Sequence, residues 1–224
     1  MMFLLLAALL WVGLHVGVAG TALRGRLVAR LGEGGFRGAF SLASAVAITL
    51  LVLAWRNADT APLWVAPREL RWALVVLMLP AFVLFAGSLL TPNATAVGGE
   101  RAMGQEPRGV LRITRHPMLW AFAIWGAVHV LGNGDSAAVL FFGAFLLTAL
   151  LGMPSLDAKV AARDPAGWRG FAAATSLLPF GSVARGQNRL RWRELLLPGA
   201  VGLLAWAALL HLHPRLFGVS PLAP

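Results

Sequence analysis

The chain has 224 residues, of which 58% are hydrophobic and only 12% charged, and its mean hydropathy is +0.75. A soluble domain carries about 25% charged residues and shows its apolar residues in short amphipathic runs, whereas here they come in blocks nearly long enough to span a bilayer. This excludes a soluble enzyme, a disordered tail and a DNA-binding module. The formal charge of +10 sits between the apolar runs, where it reports membrane orientation; no nucleic acid is expected as a partner, and membrane lipids are the expected surroundings. With no cysteine and no tyrosine, disulfides, iron–sulfur clusters, thiolate-ligated haem, zinc–cysteine centres and tyrosine ligation are impossible. Any metal must be held by His, Met or carboxylate.

The first apolar run, Met2 to about Gly20, has no basic leading region and carries Trp11 and His15 within it, so it reads as a retained span and not as a cleaved signal peptide. Further spans are expected at about 36–55, 69–90 with Pro80 as a kink, 117–131, 136–153 and 194–212. The expected fold is all-α: a polytopic membrane helix bundle of about six transmembrane helices, forming a single domain over 1–224. The fourth and fifth spans are short and are separated by Asn133-Gly134-Asp135. Gly134 accepts a positive φ there and Asp135 or Ser136 caps the next helix, so the two spans should form an antiparallel pair. The longest loop, 154–193, contains a helix start in Asp164 as N-cap and Pro165 at the first helical position, followed by Trp168, Arg169 and Phe171. That helix is expected on the cytoplasmic face with its aromatics in the headgroups, the alternative being a solvated loop.

Counting Lys and Arg between spans sets the orientation. The first loop has Arg24, Arg26, Arg30 and Arg37, the third Arg101, Arg108, Arg112 and Arg115, and the fifth has seven more from Lys159 to Arg193, making 15 of the 19. Only Arg56, Arg68, Arg71 and Arg215 fall on the other side. Odd loops are therefore expected in the cytoplasm and both termini on the non-cytoplasmic side.

The nine acidic residues, at 33, 59, 69, 100, 106, 135, 157, 164 and 194, fall on this reading in loops or at span ends. That argues against a carboxylate di-metal site and against a carboxylate proton relay. The ionisable side chains well inside apolar spans are His15 and His129, with His211 nearer an outer end and His116 at an inner one. A polar group in hydrocarbon needs a partner to persist, which makes these histidines functional candidates. Trp11-x-x-x-His15 and Trp125-x-x-x-His129 share one pattern, and a spacing of four puts each indole one turn from its imidazole on the same helix face. Two imidazoles flanked by aromatic surface suit a flat apolar macrocycle held from both sides, namely haem b with two axial histidines. The alternative is two unrelated histidines donating to backbone carbonyls across helices. At 1.5 Å per residue the two imidazoles differ in depth by roughly 8 Å, which leaves His211 with His129, or His15 with His116, as rival axial pairs.

Arg115-His116-Pro117 is the third feature. Pro117 is pre-set for the first helical position and disfavours α geometry in the residue before it, so His116 is expected as the last extended residue, flanked by Arg112 and Arg115. A helix start flanked by arginines can receive an anion such as a haem propionate or lipid phosphate; the alternative is an ordinary helix start with positive-inside arginines.

Several ordered motifs resemble the NnrU family of bacterial membrane proteins, which is related to the plant-type 15-cis-zeta-carotene isomerases. They are Gly13-Leu14-His15, Gly32-Glu33-x-Gly35-Phe36-Arg37-Gly38, Arg112-Ile113-Thr114-Arg115-His116-Pro117-Met118-Leu119-Trp120, His129 followed by Asn133-Gly134-Asp135, Trp168-Arg169-x-Phe171, Thr175-Ser176-x-x-Pro179-Phe180, and His213-Pro214-x-Leu216-Phe217-Gly218-Val219-Ser220-Pro221. The resemblance covers nearly the whole chain and implies a multi-span protein of the bacterial cytoplasmic membrane. From the isomerase branch it implies haem b ligated by two histidines, mapping onto His15 and His129, with His116 as a nearby essential residue. It also implies a haem-dependent cis–trans isomerase activity on an apolar polyene, gated by reduction of the iron and release of one axial histidine. From the NnrU branch it implies an association with nitrite and nitric oxide reduction, hence an alternative role as an accessory or regulatory partner of respiratory or denitrification proteins. A remote alternative is a membrane methyltransferase of the isoprenylcysteine type, which also places Arg-His-Pro at a helix start. Those proteins follow it with an aromatic and a glycine and supply paired glutamates later, whereas here Met118-Leu119-Trp120 follows and no Glu-Glu pair occurs.

Overall fold

The computed structural model describes residues 1–96, 99 and 102–222; Glu100, Arg101 and Pro224 lie outside the described residues. Helix α1 (Met2–Val12) runs directly into a π-helical turn (Gly13–Val18). It is followed by α2 (Ala22–Arg56), α3 (Arg68–Leu90), a 3-10 turn (Gly109–Arg112), α4 (Pro117–Asn133), α5 (Ser136–Arg163), α6 (Pro165–Ala174), α7 (Gly181–Ala184) and α8 (Trp192–Phe217). The sole β pairing among the described residues is an isolated bridge between Pro62 and Asp135.

The protein is an all-helical membrane protein. Helices α2, α3, α5 and α8 are long and apolar enough to cross a membrane. The other two expected spans are shorter: the apolar helix Met2–Val18 and the 17-residue α4. At 1.5 Å per residue each reaches roughly 25 Å, less than a ~30 Å hydrocarbon core, so the expected count of about six exceeds the four that length and composition support.

Neighbouring helices follow the order α8, α3, α4, α5, α1, α2, so α5 packs on both α1 and α4 while α3 packs on both α4 and α8. The outer members show this in their burial: 11% of the most apolar stretch is buried in α2 and in α8, against 33% in α3 and 39% in α5. Lipid tails are as apolar as leucine, so close packing and not water exclusion must join these helices. Small residues supply it. A Cβ at Gly126 of α4 would stand 2.9 Å from the Phe142 carbonyl oxygen of α5, and one at Gly202 of α8 would stand 2.7 Å from the Val83 Cα of α3. The core at one end joins Leu4, Leu51, Phe141 and Phe142; nearer the Arg-rich end, Ala123, Ala149 and Met153 join α4 to α5.

The turn between α4 and α5 forms as its residues dictate. Gly134 adopts φ 69°, and the Asp135 side chain accepts from the Ala138 N–H at 2.8 Å. The segment before α3 crosses this turn, with Leu63 and Trp64 N–H donating to the Gly134 carbonyl and Trp64 Nε1 to the Leu131 carbonyl at 3.0 Å. Gly32 adopts φ 72° and ψ 165° and divides α2 into a basic arm and the apolar span expected from about residue 36.

Three expectations are corrected. First, the spans do not stop before Pro154 and Pro214: α5 continues through Pro154 and α8 through Pro214, just as α3 contains Pro80 and α8 contains Pro198 within the spans expected there. A helical proline forfeits one backbone hydrogen bond, but buried Met153 and Val160 keep α5 on its packing face past Pro154. Second, and as a result, the loop expected over 154–193 starts only after Arg163, and Asp157 is a helix residue. Likewise α8 continues past His213 to Phe217, where Gly218 at φ 74° terminates it. Third, α6 has the expected cap, with Asp164 accepting from the Gly167 N–H at 2.9 Å, but its aromatics turn toward protein. Phe171 is buried among Ala94 and Ala102, with Trp168 and Met103 packed alongside, because these residues offer it an apolar surface within the protein.

Candidate functional site

His15 lies inside the π turn, whose extra residue re-aims the side chains it carries. Its Nδ1 is 2.9 Å from the Trp11 carbonyl oxygen. His129 repeats the arrangement on α4, with Nδ1 2.8 Å from the Trp125 carbonyl oxygen. A carbonyl only accepts, so each Nδ1 carries the proton and each Nε2 is left as the lone-pair nitrogen. No hydrogen bond reaches either Nε2 among the described residues. The carbonyls belong to each histidine's own helix, one turn back, so neither imidazole bridges helices through the backbone.

Each histidine also touches its indole, at 4.0 Å between ring centroids for Trp11 and His15 and 5.1 Å for Trp125 and His129. Phe145 of α5 joins the two pairs, 4.9 Å from Trp11 and 5.2 Å from Trp125. Phe142 stacks on His129 at 4.6 Å, and Phe40 of α2 stands edge-on to His15 at 5.3 Å. The imidazoles do not touch each other; an aromatic path through α5 runs between them. In donor chemistry the pair fits a metal: two neutral imidazoles, each held by Nδ1 and open at Nε2, in apolar aromatic surroundings. Among the described residues no group of three or more His, Asp or Glu gathers to hold a metal ion. His211 is exposed near the end of α8, accepting from Arg215 at 3.3 Å.

The Arg115-His116-Pro117 motif forms a second centre at the Arg-rich end. His116 adopts φ −120° and ψ 56° and precedes Pro117 at the start of α4; it leaves the helical region, as the residue before a proline should, but falls short of the extended geometry expected for it. Its side chain is 1% exposed, and Nε2 lies 2.7 Å from Asp157 Oδ1. The same carboxylate receives Arg115, whose Nε is 2.9 Å and Nη2 2.7 Å from Oδ2, and the Arg115 guanidinium covers the Trp168 ring at 5.3 Å. Asn93 and Thr95 both donate to the Arg115 carbonyl.

Arg112, with its side chain 4% exposed, binds Glu194 and Glu106 at 2.9 Å each and donates to Asn188 at 2.8 Å. Hydrogen bonding to Arg112 holds the Glu106 carboxyl below its ordinary pKa, and Glu194, followed by Glu106, raises that of Arg112. Both arginines therefore meet acids of this chain, where the sequence left open either an external anion or an ordinary helix start. Arg112, Arg115 and His116 form one polar clasp joining α4, α5, α8 and the 175–177 segment. Asp157, Glu106 and Glu194 were missed as site residues from sequence. The signal for Asp157 was present: Met153, Asp157 and Val160 continue one helical face at spacings of four and three.

The model of the family described as NnrU protein matches residues 3–221. The chain belongs to the NnrU family. A curated relative, the chloroplastic 15-cis-zeta-carotene isomerase of Zea mays, is 30% identical over 82 residues, covering 37% of this NnrU-family chain and 22% of the maize protein. No solved structure matches the chain.

Proposed function

We propose that this NnrU-family protein is a membrane isomerase-like protein that holds haem b between His15 and His129 and acts on an apolar polyene. The observation that carries the proposal is the shared state of the two imidazoles, each with Nδ1 tied to the carbonyl one turn back and Nε2 open. Likeness to the zeta-carotene isomerase of maize supports the substrate class. When bound, haem would supply a redox-active iron. The chain's own residues do the rest: Trp11 and Trp125 pack beside the imidazoles, while the Nδ1 bonds fix ring orientation and raise ligand basicity. His116 acts in this reading as a positioning residue, since its clasp fixes the start of α4, the helix that carries His129. Arg112 and Arg115 serve the same clasp. The Lys and Arg asymmetry supports a bacterial cytoplasmic membrane setting with both termini on the non-cytoplasmic side.

The test is an absorbance spectrum of the protein purified from haem-replete cells. Split visible bands of a six-coordinate low-spin haem b are expected. Colourless protein would overturn the haem reading and favour a non-catalytic partner of membrane reductases.

A further inference from the structure

Three buried polar atoms on the helices that meet around His15 have no partner among the described residues. They are the indole Nε1 of Trp11 on α1, the hydroxyl of Ser44 on α2 and the hydroxyl of Thr148 on α5. A buried donor without an acceptor costs about 1–3 kcal/mol. Serine and threonine in helices commonly avoid this by donating to the carbonyl one turn back, as Thr49 does to Ala45 and Thr175 to Phe171. Ser44 and Thr148 do not.

These atoms belong to one place. Trp11 touches Phe145 of α5 at 4.9 Å, and His15 touches Phe40 of α2 at 5.3 Å. Phe40 and Ser44 are one turn apart on α2, as are Phe145 and Thr148 on α5, so each hydroxyl shares a face with a ring that meets α1. Their levels agree as well. The Met2, Arg56 and Ser136 ends of the three helices lie together, since Met1 and Asn57 line one groove and the Ala61 N–H donates to Ser136. Counted from those ends at 1.5 Å per residue, Trp11 is roughly 14 Å deep, Ser44 and Thr148 roughly 18 Å, and His15 roughly 20 Å.

We infer that the junction of α1, α2 and α5 is an intramembrane binding site for one hydroxylic oxygen, that of a water molecule or of an apolar alcohol. The available groups select this chemistry. The Trp11 N–H only donates, His15 Nε2 only accepts while Nδ1 keeps its proton, and the two hydroxyls do either. A carbonyl or ether oxygen has no proton to give, and an ammonium has no lone pair for Trp11. A hydroxylic oxygen accepts from Trp11 and from one hydroxyl and donates its proton to the other hydroxyl, or to Nε2 when no iron occupies that nitrogen. The inference rests on the orphaned atoms and not on haem.

The test uses the full-length protein, uniformly 15N-labelled, as purified in lipid nanodiscs. The Trp11 indole N–H signal is assigned by its loss in Trp11→Phe. Farnesol is titrated in parallel with farnesene, which lacks the hydroxyl. A saturable shift of the Trp11 signal with farnesol and not farnesene assigns the oxygen to an alcohol; cross-relaxation to water protons that farnesol leaves unchanged assigns it to water. Ser44→Ala combined with Thr148→Val, both near-isosteric, should weaken farnesol binding about tenfold or abolish the water cross-peak; each single variant should do so in part. A Trp11 signal with no water cross-peak and no farnesol shift, equal shifts with farnesol and farnesene, or indifference to both hydroxyl substitutions would overturn the proposal. Absorbance of the same sample reports haem separately. A colourless sample with these signals keeps the site and removes the haem reading, and a red sample without them does the reverse.

Discussion

His116 and Asp157 are 41 residues apart in sequence, and their side chains meet at 2.7 Å. The contact ties the residue that starts α4 to the last third of α5. The carboxylate also receives Arg115 through two guanidinium nitrogens, so one acid is the shared partner of two side chains with little exposure of their own.

Removing that acid should be costly. Asp157→Ala leaves Arg115 and His116 without their acceptor, and breaking a buried pair from one side costs about 3 kcal/mol or more. Asp157→Asn keeps one carbonyl oxygen and should lose less. Thermal unfolding in detergent measures both; an alanine variant as stable as the parent would show that the clasp holds nothing.

Arg112 uses its guanidinium in three directions, to Glu194, Glu106 and Asn188. A lysine can place one ammonium and not a planar fork. Arg112→Lys should therefore destabilise by about 2 kcal/mol, and the additional substitution Glu194→Gln should cost less in the lysine background than in the parent. Equal costs in a double-mutant cycle would mean that the two residues do not act together.

Acid should loosen the same clasp. Hydrogen bonding to Arg112 lowers the pKa of Glu106, and a carboxyl with a lower pKa in the folded state adds stability that is fully present above its unfolded value, about 4.3. That contribution disappears as pH falls through the folded value. Melting temperature recorded against pH should fall in acid, less steeply for Glu106→Gln; parallel curves would remove Glu106 from the linkage.

The histidines differ in what their loss should do. If His15 and His129 hold haem as proposed, His15→Ala and His129→Ala would each take away one nitrogen ligand and leave a dry apolar void, so low-spin character and haem retention should both fall. Added imidazole should partly restore the spectrum. His211→Ala should leave it unchanged, since that residue is exposed on an edge helix, and His116→Ala should keep the low-spin signature with lower occupancy. A spectrum that survives His15→Ala and collapses in His211→Ala would move the second ligand to α8.

Orientation has its own test. Reporter fusions after Pro224 and near Arg185 should signal opposite compartments, the second cytoplasmic. Two cytoplasmic signals would reverse the placement of the C-terminus.

Composition and local chemistry were enough for much of this protein. Apolar runs made it a membrane helix bundle, because hydrocarbon tolerates backbone only in closed hydrogen-bonded form. Caps at Asp135 and Asp164, the non-helical His116 before Pro117 and the pairing of α4 with α5 followed from neighbours in sequence. The four-residue step from Trp11 to His15 and from Trp125 to His129 placed each ring beside its partner, since 3.6 residues per turn leave no other choice. Tertiary structure decided what depends on distant contacts. Whether Pro154 ends a helix turns on whether Met153 and Val160 find a surface to pack on, and they do. That continuation carries Asp157 to His116 and makes the arginines, for which the sequence left open an outside anion or none, one end of an internal clasp. The same holds for Ser44 and Thr148: their types are visible in the chain, but the burial of their hydroxyls without acceptors arises only when the helices pack together.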